Sequence, residues 1–225
     1  MKTGIDQDAL IEMFANASAK QGEQVRQAVR QATLGALQGR ELTLKNIRDV
    51  LKTVTQAASA GAAQNALPAV DVEGLLNSAV AGMDDALLKA VDANRVALQQ
   101  FVDQGVGLQE KTLKKAVDDL EKFEDTLIGV VRKSSEAANA QLGPMWEQVL
   151  EKLQAGGTLS GARASSTAEQ LVQQMQTAMR DSRSAGLRAA QAMAESYSTL
   201  VSGVLIGMSE ALTQSGAARK PRGKK

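Results

Sequence analysis

The residues best equipped for chemistry in this chain are carboxylates. Asp84 and Asp85 are adjacent, and Asp118, Asp119, Glu121, Glu124 and Asp125 crowd one short stretch. Asp118 and Glu121 stand one helical turn apart, as do Glu121 and Asp125, so a helix gathers them on one face. A di-metal carboxylate bundle is the centre such spacing invites, but it calls for Glu-x-x-His motifs. The chain contains no His. It also contains no Cys, which removes disulfides, thiolate metal sites and every Cys-His relay, while the missing His removes the Ser-His-Asp relay. Lys111, Lys114, Lys115 and Lys122 are interleaved with the acids, and Lys114–Asp118 and Lys115–Asp119 are i,i+4 pairs. The stretch therefore reads as a solvated helix face with internal ion pairing. Gly105-x-Gly107 lacks both the third glycine and the flanking strand of a dinucleotide loop, and nothing matches a phosphate-binding P-loop. No catalytic, metal-binding or cofactor-binding residue is assigned. The chain is expected to be no enzyme and to need no cofactor.

The elements that carry these residues read as helices throughout. Only five of the 225 residues are Phe, Tyr or Trp, and the only prolines are Pro68, Pro144 and Pro221. Apolar mass comes from Ala, Val, Leu and Met, the composition of long helices. No period-2 strand pattern persists. The fold class is all-α, with long amphipathic helices forming an elongated helical bundle or coiled coil.

Four segments follow. Residues 1–66 read as a helical hairpin. Its first helix starts at a capping Asp6, with Ile5 and Leu10 as a hydrophobic staple, and runs on to Gly39 with Leu10, Phe14, Ala17, Gln21, Val25, Val29 and Leu37 on one face. The second starts after Thr43. Residues 71–142 read as one long acidic amphipathic helix opened by Asp71. Its stripe, from Leu76 through Met83, Val91, Leu98, Leu120, Phe123 and Leu127 to Val131, advances by about 3.7 residues per step, an 11-residue rather than a heptad repeat. As a single rod over 72–140 it measures about 100 Å. At Gln104–Gly107 that rod either continues or is bent or broken, since two glycines cost about 2 kcal/mol in a helix interior. Residues 144–215 hold C-terminal helices: a short one opened by Pro144 and closed by Gly156-Gly157, and a final one placed after a Ser166/Glu169 capping box. Residues 216–225 form a basic tail expected to be disordered.

Charge follows the same division. Residues 71–155 hold nine basic and fifteen acidic side chains, whereas the tail carries Arg219, Lys220, Arg222, Lys224 and Lys225 with no acid. Those five are the candidate contacts for an anionic partner, and weak, salt-sensitive nucleic-acid contact through them is expected. A second candidate site is the apolar stretch LVSGVLIGM. There Leu200, Val201, Val204, Leu205, Ile206 and Met208 surround Gly203-x-x-x-Gly207. It is far shorter than the roughly 20 residues that cross a bilayer. It serves either for close helix packing within the chain or for self-association and docking on a hydrophobic surface. The N-terminus shows no apolar leader, no transmembrane segment is expected, and a cytoplasmic location is the default.

Two stretches resemble the phasins, the proteins that coat polyester (polyhydroxyalkanoate) storage granules in bacteria. They are Met145-Trp146-Glu147-Gln148-Val149-Leu150 and the Ala- and Gln-rich segment from Ala168 to Ala194, within Ser134–Ser215. The tail looks like a shortened form of the Lys/Pro/Ala tails of some granule proteins. The resemblance implies a non-catalytic, oligomer-forming, amphipathic helical coat that associates with a polyester granule or another hydrophobic surface. The acidic 71–155 region departs from it, reading as a self-contained bundle or coiled coil. The competing expectation is a cytoplasmic homo-oligomeric coiled-coil scaffold whose basic tail contacts anionic partners.

Overall fold

Helix starts are set by side-chain caps. Asp6 Oδ1 accepts the Ala9 N–H at 3.0 Å, Thr43 Oγ1 accepts that of Asn46 at 3.2 Å, and Asp71 Oδ1 accepts that of Gly74 at 2.8 Å. Each satisfies one of the four N–H groups that a helix start leaves unbonded. The computed structural model describes residues 4–38, 42–65, 71–103 and 110–182. Within them run α1 (Gln7–Asn16), α2 (Gly22–Leu37), α3 (Leu44–Gln64), α4 (Val72–Asp103), α5 (Glu110–Ala137), α6 (Gly143–Gly156) and α7 (Leu159–Ser182), with a 3-10 turn at Ala19–Gln21. Among the described residues there is no strand. The protein is an all-α bundle.

Two expectations about helix bounds are corrected. The first helix does not run from Asp6 to Gly39. It stops at Asn16, Ala17 turns extended, and the chain restarts through Ser18. Two local devices outweigh the continuing apolar stripe. The side-chain amide of Gln21 accepts the Ser18 N–H at 2.7 Å, completing a capping box. The Asn65 amide, from the end of α3, donates to the carbonyls of both Phe14 and Ala17 at 2.9 Å, taking up the free carbonyls where α1 ends.

Of the alternatives open for the 72–140 stretch, the described residues fit the break: they form two helices, α4 and α5. Asp84 on α4 and Glu124 on α5 bond the same turn of chain at residues 158–160. Forty positions apart on one straight helix, they would stand about 60 Å from each other. The second correction concerns the final helix, which starts at Leu159 rather than after Ser166, and the Ser166 hydroxyl bonds the Arg163 carbonyl within the helix.

The apolar stripes close on one another. Leu76, Met83, Leu87, Val91 and Leu98 of α4 and Leu120, Phe123, Leu127 and Val131 of α5 are all buried. They share one core with Phe14, Val29, Ile47, Leu51 and Val54 from the first three helices and Trp146 from α6. Burying a Leu or Val contributes about 1.5–3 kcal/mol, so the stripes dominate the choice of partner helix.

Glycines set the closest crossings. A methyl group at Gly82 of α4 would strike the Arg26 carbonyl and stand 3.1 Å from the Arg30 nitrogen, so α2 lies directly on α4. Gly22 lies beside Ser78 farther back, so residue numbers rise together and the two helices run parallel. At Gly61 of α3 the same methyl would strike the Ile11 carbonyl of α1.

Candidate functional site

Four of the carboxylates that first suggest chemistry, Asp84, Asp85, Asp119 and Glu124, make structural contacts. Asp85 forms a two-pronged pair with Arg26, Oδ2 to Nε at 2.6 Å and Oδ1 to Nη2 at 2.9 Å, fastening α4 to α2. That hydrogen bond raises the Arg26 pKa above its ordinary value, against a smaller opposing effect of desolvation. Asp118, Glu121 and Asp125 are exposed. Lys115 and Asp119 pair at 2.7 Å as their spacing predicts. Among the described residues no group of three or more Asp or Glu could hold a metal ion.

Asp84 and Glu124 form a polar junction that spacing alone did not reveal. Gly157 adopts φ +67°, the left-handed conformation that glycine tolerates best, and turns the chain into α7. There the Leu159 N–H donates to Asp84 Oδ2 at 2.8 Å and the Ser160 N–H to Asp84 Oδ1 at 3.0 Å. The Thr158 N–H and hydroxyl both donate to Glu124 Oε1, at 2.8 and 3.0 Å. Thr158 Oγ1 in turn accepts the Gly161 N–H at 2.8 Å. The N–H groups of residues 158–161 are thus all satisfied, by side chains from three elements. The two carboxylates also meet the positive end of the α7 dipole. Arg163 farther along α7 pairs with Asp92 of α4 at 2.8 Å, so α7 runs parallel to α4. This arrangement holds a helix in place and presents no reacting group.

A second feature opens to solvent. A groove of about 640 Å³ lies between α3 and α5. Its walls include Ala60, Ala63, Val130, Ala138 and Leu142, and Arg48, Lys52 and Lys133 reach its edges. Those three side chains are exposed, and no ion pair engages them among the described residues. One acid, Asp49, shares the lining. Beneath the groove the fully buried Trp146 donates its indole N–H to Ser59 Oγ, a lining residue, at 3.0 Å.

Both predicted interaction sites, Leu200, Val201, Val204, Leu205, Ile206 and Met208 and the basic Arg219, Lys220, Arg222, Lys224 and Lys225, lie outside the described residues. Along the described part of α7, burial follows one face at Ser160, Gly161, Ala164, Thr167, Ala168 and Leu171. From Val172 to Thr177 only Met175 is even half-buried. Among the described residues no helix is long and apolar enough to cross a membrane.

Fold and site together define a helical bundle whose polar clusters brace helices. The chain belongs to the family of unknown function DUF6781, whose model matches residues 1–214. No curated protein and no solved structure matches it.

Proposed function

We propose that this protein is a non-catalytic helical binding protein that works in the manner of a phasin: it associates with hydrophobic granule surfaces, and with itself, through the C-terminal part of the chain. The observation that carries the reading lies on α7. Its sequence stripe continues from Leu171 through Met175 and Met179 towards Val201, Val204 and Met208, whereas over residues 172–177 no side chain is fully buried and only Met175 is half-buried. The stripes of α4 and α5, by contrast, are already covered within the bundle and are not free to coat a surface. The apolar stretch Leu200–Met208 supplies the docking residues in this reading, and the basic tail from Arg219 to Lys225 adds attraction to an anionic surface. The division of the carboxylates between caps and ion pairs supports a role without catalysis.

The test is co-sedimentation of the full chain with polyester granules and with polystyrene beads. The wild-type chain is expected in the pellet, and Leu205→Glu with Ile206→Glu is expected to shift it about tenfold towards the supernatant while far-ultraviolet circular dichroism stays unchanged. A wild-type chain that stays in solution and scatters light as a 23.7 kDa monomer overturns the proposal.

A further inference from the structure

The groove between α3 and α5 is independent of the C-terminal stretch and has a chemistry of its own. Its size suits a small ligand: clefts that bind small molecules measure about 300–1,000 Å³, and this one holds about 640 Å³. A docked helix is about 10 Å across and fills more than about 1,000 Å³ over three turns. The walls at Ala60, Ala63, Val130, Ala138 and Leu142 offer methyl and branched aliphatic surface. No aromatic ring stands among the lining residues, so a nucleobase finds nothing to stack on. Cationic groups on Arg48, Lys52 and Lys133 outnumber the single acid Asp49, although the surrounding 71–155 region is acidic. These cations lack ion-pair partners among the described residues, so an incoming anion breaks no existing pair. Ser59 Oγ accepts the Trp146 indole N–H and keeps its own O–H donor.

We propose that this groove binds a single-chain amphiphile with an anionic head, a long-chain carboxylate whose chain lies along the alanine walls and whose head meets Arg48, Lys52 and Lys133. A free monomeric chain, not a membrane, is the ligand, because the groove encloses one chain rather than presenting a flat face.

Dodecanoate below its micellar concentration, titrated into the full-length protein, tests the proposal. Trp146 is the only tryptophan, so its emission reports on the Ser59 contact directly. Saturable binding with a change in Trp146 emission is expected. Arg48→Glu with Lys52→Glu, both at exposed positions, is expected to weaken binding at least about tenfold, and dodecyl maltoside, with the same chain and a neutral head, to bind weaker by a similar factor. Ala63→Leu narrows the groove without altering charge and is expected to weaken dodecanoate binding as well, which keeps the test decisive should the charge reversals disturb folding. Wild-type affinity in all variants, equal affinity for the neutral amphiphile, or binding that leaves Trp146 emission unmoved overturns the proposal. So does an acidic amphipathic peptide that binds more tightly than dodecanoate, since it assigns the groove to a protein partner. Loss of self-association in Arg48→Glu with Lys52→Glu does the same by assigning it to a second copy of this chain.

Discussion

Asp84 on α4 accepts the backbone N–H of Ser160 at 3.0 Å, so a side chain from the middle of one helix forms the start of another. The bond lies inside the bundle, where an unmet donor costs more than at a surface. Asp84→Asn keeps the volume but replaces one acceptor oxygen with an N–H₂ that faces N–H groups. The expected loss is about 2 kcal/mol, and Glu124→Gln, at a less buried position, is expected to lose about 1 kcal/mol. Urea midpoints should fall while the slopes hold, because the surface exposed on unfolding stays the same. Midpoints unchanged in both variants would show the junction to be incidental.

Glycine-to-alanine substitutions should divide by position. At Gly61 and Gly82 a methyl group collides with neighbouring backbone, and overpacking of about 2–3 kcal/mol is expected. At Gly35 and Gly129 nothing lies within 4 Å, and alanine should stabilise by about 0.5–1 kcal/mol through helix propensity alone. Thermal melts of the four variants check the ordering, which collapses if all four move in the same direction.

Two buried hydroxyls, Thr33 Oγ1 and Thr167 Oγ1, have no hydrogen-bond partner among the described residues. Valine has nearly the same shape and no polar atom to desolvate. Thr33→Val and Thr167→Val are each expected to raise stability by about 1 kcal/mol, measured by chemical denaturation. A loss in either would reveal a partner for that hydroxyl.

The Arg26–Asp85 pair is partly solvated, with the Arg26 side chain 37% exposed, so Asp85→Asn should cost no more than about 1 kcal/mol and less in high salt. The Arg26 pKa is raised on folding. Its contribution is therefore fully present below the unfolded value, far into the alkaline range, and fades only as pH climbs through the raised one. Between pH 6 and 9 the stability difference between Asp85→Asn and the parent protein should be flat. A steep slope there would point to another titrating partner.

Much of the bundle can be read from residue pattern. Asp6, Thr43 and Asp71 cap where sequence places caps, and the stripe from Leu76 to Val131 is buried wherever it is described, save for the half-buried Ala116. Periodicity reports which face is covered and says nothing of what covers it. One stripe therefore served equally for a rod and for two helices folded back. The stop at Asn16 was legible in Ser18-x-x-Gln21, a capping box masked by an apolar phase that continues from Ala17 to Val25. The start of α7 was harder to see. Ser166/Glu169 copies a capping box in sequence, while the working cap at Thr158 draws on carboxylates from α4 and α5. Asp84 looks like Asp118 in a string of letters. Only tertiary placement buries the first and leaves the second in water. The groove between α3 and α5 has no sequence signature at all, because it is made of the ordinary outer residues of two helices brought side by side.

The junction at Thr158 bears on how an alanine-rich assembly selects its alignment. Seams built from Ala164, Ala168 and similar small residues look alike at every turn, so sliding a helix by one turn, about 5.4 Å, changes their packing little. Asp84 and Glu124 meet residues 158–160 only when three separate stretches of chain arrive at the same depth. The junction therefore acts as an indexing pin: a slipped α7 leaves two carboxylates stranded and the three N–H groups of residues 158–160 open, and the polypeptide is held to one setting among several of nearly equal grease.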